Sequence, residues 1–448
     1  MTLAIRGRPA GAACLGQARA AGAGTDTGTY TRMFADLPPL AGEAARLAAL
    51  GQPGAACDRG ETEGDGESTV AAGWPFFGQL IAHDITADRS PLGHLPDAPL
   101  ANARAARLDL ECLYGAGPTG SPYLYDAADP AKFLLGPGGC DVPRNAQGVA
   151  LVGDPRNDAH LFVNQMHVAL LRAHNRLVDD MRAMRLAEGR VFAAARVALV
   201  WHYQWLVLED YLPGLVGPDL AAGIAAGAIA VPVPPGLSIP LEFADAAFRY
   251  GHAQVRQTYR IRPDAAPLTM FPDLVGFRAV GPERRVDFGL LFDAPGGLAA
   301  QRAPRLDERL PKALVELPEA ITGVLDQPTY RSLAARDLER GRDTALPSGE
   351  AVARAFGLDP LPAESARVAG WEGETPLWLY ILREAAVLED GQRLGPVGGR
   401  IVAGTLTALI DRDPESYRAA APDWRPTLPA ASGNAETFTL LDLLRAGD

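Results

Sequence analysis

Two neighbouring stretches constrain the fold of this 448-residue chain more than anything else in it: "HLFVNQMHVALLRAHNRLVDDMRAMRL" (160–186) and "FAAARVALVWHYQWLVLEDYL" (192–212). The first places Leu161, Val168, Leu171 and Leu177 near helical spacing, with Asp179, Asp180 and Arg182 toward its outer end. The second is apolar almost all round, which predicts a helix buried at the centre of a larger assembly. Later segments "SGEAVARAFG", "TPLWLYILREAAVLE" and "GGRIVAGTLTALIDR" repeat the amphipathic pattern, with Ser348 and Thr375 placed as N-terminal caps. Strand signals are few, so the expectation is mainly α with little β. The Gly/Pro-rich "GLVGPDLAAGIAAGAIAVPVPPG" (214–236) reads as surface loop between helical blocks. No repeat and no linker interrupts the C-terminal part. The predicted organisation is one large domain over 71–448, with residues 1–70 as an arm packing on it.

Charge narrows the function classes. A net charge of −12 and pI near 5.2, with no basic stripe, argue against nucleic acid or an anionic membrane surface as partner. No uninterrupted apolar run of transmembrane length is evident, and "MTLAIRGRPAGAACLGQARAAGAG" lacks a signal-peptide core, so the expected location is cytoplasmic. Cys14, Cys57, Cys112 and Cys140 are scattered without a CxxC pair and read as reduced structural thiols.

The chemistry gathers around histidines. In "WPFFGQLIAHDITADRS" (74–90) a helix would put Gln79 and His83 on one face, with Asp84 about 100° away. By itself this is either a core histidine satisfied by a carbonyl or a working group in a dry pocket. "GDPRND" (153–158) is a turn that aims Arg156 from rigid backbone. In "EFADAAFRYGHAQVRQ" (242–257) His252 follows Gly251, and glycine permits close approach of a flat, bulky group. "ARDLERGRDTALPSG" (335–349) brings Asp337, Arg340 and Arg342 before a turn, with Asp337 alternatively paired to Arg336 or Arg340.

Taken in order, "FGQLIAHD", "LDLECLYG", "GDPRND", "LLRAHNRLV", "FRYGHA", "RDLERGRDTALPSG" and "LGPVGGRIVA" resemble the animal-type haem peroxidases, in particular bacterial members of the peroxidase–cyclooxygenase superfamily. The resemblance runs from Trp74 to Arg412 and implies a single, mostly α domain around a haem. It implies that His83 is the distal histidine, moving a proton of hydrogen peroxide, that Gln79 holds a distal water or substrate oxygen, and that Arg156 stabilises negative charge. His252 would be the proximal iron ligand, Arg249 the partner of a haem propionate, and Asp337 the partner of the proximal histidine, where the family commonly has asparagine. Calcium would take Asp84, Asp109 and Glu111, with carbonyls near Ala105 and Arg107.

The departures carry information too. The two positions that esterify haem in many members are Ala82 and Ala159, so the expected cofactor is non-covalent haem b. The dioxygenase relatives carry a tyrosine three residues before the proximal histidine, and here that position is Arg249. The resemblance therefore implies a peroxidase working through a ferryl intermediate on hydrogen peroxide and a small organic reductant, aromatic or secondary-metabolite. Alternatives are a haem-dependent oxygenase of fatty acids or a metabolite, and a haem-binding protein that has lost turnover. His94, His160 and His202 read as structural, and His167 and His174 as fold-supporting, with His160 near enough to Arg156 to edge into the pocket.

Overall fold

The computed structural model describes residues 28–62, 66–87, 101–294, 296–325 and 327–448. Among the described residues helix dominates, at 47% against 7% strand, and the strands form three two-stranded pairs. Residues Leu161–Ala183 form the longest single α-helix, opened by His160, whose Nδ1 accepts from the Val163 amide at 3.4 Å. It packs along Glu188–Leu206 and against the C-terminal helix Leu440–Arg445. Pro396–Arg412, buried along nearly its whole length, lies against Leu377–Leu388 and Pro218–Ala225. A continuous apolar core runs from Met33 to Leu444 through all of these elements.

That core includes much of the expected arm. Thr29–Thr31 pairs in parallel with Ser238–Pro240, and Glu67–Ala71 pairs antiparallel with Arg302–Pro304. The buried Glu242 carboxylate accepts from the amides of Met33 and Phe34 at 2.9 and 3.0 Å, satisfying donors that burial would otherwise leave unpaired. Residues 1–27, on which the absence of a signal segment was argued, lie outside the described residues, and so does His94.

Three sequence expectations change. Residues 214–236 are not all loop: Leu212–Val216 and Pro218–Ala225 are helical, because Ala221 and Ile224 reach the core one turn apart and Pro218 begins its helix where no amide donor is needed. Thr375 does not cap the Leu377–Leu388 helix; its amide and hydroxyl both bond the buried Glu350 carboxylate at 2.8 Å. Ser348 does cap, accepting from Ala351 N at 3.1 Å. Finally, Glu188–Val216 is a continuous helical run long and apolar enough to cross a membrane by length and composition, since a π-helical turn at Val207–Tyr211 carries it through Glu209 and Asp210. With 61% of its apolar window buried inside the molecule, it occupies the place of a core helix. Cys57, Cys112 and Cys140 are buried and unbridged; Cys14 lies outside the described residues.

Candidate active site

The Trp74–Ile85 helix starts with Pro75 in its first turn and ends where Thr86 turns extended and bonds back to the Ala82 carbonyl. Most of it is buried; beyond Trp74, only Gln79 and Ala82 are half-exposed, both in the turn before His83. His83 is 6% exposed, and its Nδ1 donates to Asn157 Oδ1 at 2.8 Å. Among the described residues its Nε2 has no partner. Burial and the nearby Arg156 charge lower the His83 pKa to about 3, so the imidazole is neutral and its free nitrogen is a base.

The turn at Gly153–Ala159 supplies the neighbours. Asp154 caps it by accepting from the Arg156 amide at 2.9 Å, and Pro155 stiffens the first position. The Arg156 guanidinium bonds Asp154 from Nε (3.0 Å) and Nη2 (2.9 Å), and Nη2 also reaches the carbonyls of His83 (3.1 Å) and Thr86 (2.6 Å). Arg156 is thereby locked to the helix that carries His83. Arg104 approaches Asp154 from the other side, at 2.6 Å. Burial alone would raise the Asp154 carboxyl, but Arg156 and Arg104 hold it well below the usual range.

Three participants were not singled out for these contacts by the sequence: Asn157, Arg104 and, as a partner of Gln79, His160. Since His160 Nδ1 accepts from Val163 N, its Nε2–H donates to Gln79 Oε1 at 2.6 Å. The Gln79 amide hydrogens have no partner among the described residues. The only sequence hint was that His160 follows Ala159 beside the turn. His167 joins the same network, 3.0 Å from Asn157 Nδ2, whereas His174 and His202 bond backbone and aromatic partners elsewhere in the core.

The second histidine stands on the Ala247–Gln254 segment. His252 Nδ1 donates to Asp337 Oδ2 at 2.6 Å, and again Nε2 has no partner among the described residues. Asp337 is fully buried and also accepts from Arg249 Nη1 at 3.0 Å. It does not pair with Arg336 or Arg340: Arg336 bonds the Tyr330 carbonyl and Arg340 lies 4.0 Å from Asp245. Arg249 is committed to Asp337, to Asp245 (3.3 Å) and to the Ala244 carbonyl (2.9 Å), so here it braces the histidine's carboxylate. Phe248, Arg249, Gly251 and His252 are the half-exposed members of an otherwise buried segment.

The two histidine-bearing elements pack against each other at Pro75, Gly78, Tyr250 and Gly251. A Cβ on Gly251 would lie 3.6 Å from Pro75, and one on Gly78 would lie 2.5 Å from the Tyr211 hydroxyl, which bonds Tyr250 at 2.7 Å. His83 is eight residues past Pro75, about 12 Å along the helix axis.

Comparison with known proteins places this arrangement. The family model for animal haem peroxidase matches residues 119–365, more than half of the chain, a span that takes in Arg156, His252 and Asp337. The chain belongs to the animal haem peroxidase family. It is 28% identical to thyroid peroxidase of Mus musculus over 285 residues, 59% of this chain, and 28% identical to human lactoperoxidase over 240 residues, 51% of this chain. These alignments span only 30% and 32% of the relatives' own lengths. Among solved structures, peroxidase A from Dictyostelium discoideum superposes with a TM-score of 0.64 at 16% identity, covering 88% of both chains. The fatty acid alpha-dioxygenase of Oryza sativa gives 0.64 at 15%, covering 95% of this chain and 80% of that one.

The haem peroxidase family implies haem, and the donor set fits it: each histidine is oriented through Nδ1 and presents Nε2 without a partner among the described residues. The expected calcium ligands do not fit calcium, which takes about six to eight oxygens. Asp84 accepts from the amides of Leu110 (3.0 Å) and Cys112 (3.3 Å). Asp109 pairs with Arg196 at 3.2 Å, and Glu111 with Arg104 at 3.1 Å and the Ala105 amide at 3.2 Å. No group of three such side chains converges among the described residues, at Ala105, Arg107 or elsewhere. The cause is tertiary: two guanidinium groups, Arg104 and Arg196, take up the carboxylate oxygens that would face a cation. Chelator is therefore expected to leave the melting temperature unchanged, and elemental analysis to find no stoichiometric calcium; a drop in melting temperature reversed by calcium would refute this.

Proposed function

We propose that this chain is a haem-dependent peroxidase that reduces hydrogen peroxide and oxidises a small organic substrate, aromatic or secondary-metabolite, with haem b held without covalent links. One observation carries the reading: two histidines on elements that pack against each other, each with Nδ1 held by a side-chain acceptor and Nε2 without a partner among the described residues. Haem held through His252 would supply the redox chemistry that couples peroxide reduction to oxidation of the organic substrate. The remaining work belongs to side chains. His83 Nε2 takes a proton from hydrogen peroxide and returns it to the departing oxygen, leaving water. Gln79 Nε2 donates to the peroxide oxygens, and Arg156 contributes fixed positive charge beside them. The Nδ1 hydrogen bond to Asp337 gives the His252 imidazole more anionic character, which would lower the potential of a bound iron. Ala82 and Ala159 have no carboxylate to esterify a haem methyl.

Arg249 stands where the dioxygenases have tyrosine, and its guanidinium is engaged by two carboxylates, which favours the peroxidase over the fatty-acid oxygenase. Protein reconstituted with haem is expected to give a ferric, histidine-ligated spectrum that responds to hydrogen peroxide and recovers with a phenolic reductant. His252→Ala is expected to lose the ligated spectrum and regain it with added imidazole, and acid-acetone is expected to extract all of the haem. Haem that binds yet ignores peroxide would overturn the proposal, and oxygen uptake with a fatty acid would then separate an oxygenase from a protein without turnover.

A further inference from the structure

We infer that Asn157 is a positioning residue that fixes His83 in the Nδ1-protonated tautomer and so keeps a lone pair on Nε2, the ring nitrogen without a partner among the described residues. The inference rests on the peroxidase reading. Asn157 is fully buried and held at three points: its amide N–H donates to the Asp154 carbonyl at 3.0 Å, Oδ1 accepts from His83 at 2.8 Å, and Nδ2 donates to His167 Nδ1 at 3.0 Å. A side-chain amide accepts only at oxygen and donates only at nitrogen, so its orientation sets both imidazole tautomers together. His167, 1% exposed on the Leu161–Ala183 helix, is kept neutral by burial, with its pKa lowered to about 4, and can accept. With the amide reversed, Nδ2 would donate to His83 Nδ1, the proton would move to Nε2, and that nitrogen would have no lone pair for a peroxide proton. The charged and titratable groups facing His83 are Arg156, Asp154 and His160. None of the three accepts from its Nδ1, so the tautomer depends on Asn157.

The test combines a rate–pH profile with a spectroscopic readout on the haem-loaded protein. In the diamagnetic ferrous carbon monoxide form of the ¹⁵N-histidine-labelled wild type, His83 is expected to carry its proton on Nδ1. Asn157→Ala is expected to slow the reaction with hydrogen peroxide about tenfold or more by releasing the tautomer. Asn157→Asp sets a carboxylate against His83 and favours the imidazolium, so the acid limb of the rate profile should move up from near pH 3 toward neutrality, with the rate returning at higher pH. An Nε2-protonated His83 in the wild type would overturn the inference, whether or not the variants fold. So would Asn157→Ala and Asn157→Asp variants that keep the wild-type rate and profile. A His83→Gln variant reacting at the wild-type rate would instead bring down His83 as the peroxide base, which separates the two failures.

Discussion

Replacing His83 by glutamine is expected to slow the reaction of the haem-loaded protein with hydrogen peroxide about a hundred- to ten-thousandfold, equivalent to about 3 to 5 kcal/mol of barrier. Glutamine keeps a side chain able to bond Asn157 but offers no basic nitrogen, so lost rate is separated from lost packing. Alanine would leave Asn157 Oδ1 buried without a donor, at about 1 to 3 kcal/mol of stability. Haem affinity should change little, because the iron ligand is on the other element, at His252. The pH dependence follows from the neutral state of the ring. With its pKa lowered to about 3 by burial and by Arg156, His83 is a free base across the neutral range, and the wild-type rate should fall only as acid protonates Nε2. Stopped-flow absorption at a series of peroxide concentrations measures the effect, and a variant within twofold of the wild type would end the distal assignment.

Asp154→Ala is expected to cost about 3 to 5 kcal/mol of folding stability, a large part of the roughly 5 to 15 kcal/mol typical of a domain. One carboxylate, 5% exposed, accepts four bonds: from the Arg156 amide, Nε and Nη2, and from Arg104 Nη2. Its removal leaves two guanidinium groups facing each other across a buried gap, with Glu111 and backbone carbonyls among the groups left to offset them. Asp154→Asn separates the contributions, since asparagine caps a helical turn as well as aspartate does and lacks the charge. The pH sign is definite. A carboxyl whose folded pKa lies below its unfolded value of about 3.9 contributes stability that is present above that value and lost as the pH falls further. The Asp154 contribution should therefore hold through the neutral range and fade only in strong acid. Urea unfolding of the two variants measures both parts, and Arg104→Ala combined with Asp154→Ala should cost less than the sum of the single changes.

These two networks show how far the sequence could be read. The helices at 74–85, 161–183 and 396–412 were legible because apolar spacing is a local property, and the buried amphipathic faces follow from it directly. Gln79 and His83 were legible as neighbours for the same reason, one helical turn apart. Helices at 212–225 were missed because glycine and proline were read as breakers, whereas Pro218 opens a helix and Ala221 and Ile224 bury one face. Thr375 was read as a cap because no local signal revealed that Glu350, far back in the chain, would take its donors.

Partners of buried polar groups belong to the tertiary structure. His83 meets Asn157 across 74 residues, Gln79 meets His160 across 81, and His252 meets Asp337 across 85. The acidic turn 109–111 carries the charge of a cation site in any sequence reading, yet Arg104 and Arg196 fold onto its carboxylates and leave no oxygen cage. By itself, then, the sequence determined the helical class, the family resemblance and the residue types available for proton transfer and iron ligation, since these depend on local periodicity and on motif order. Only the tertiary structure decided which donor meets which acceptor. A buried polar group must be satisfied by whatever the fold brings within about 3 Å of it, and that choice is made by packing between distant segments.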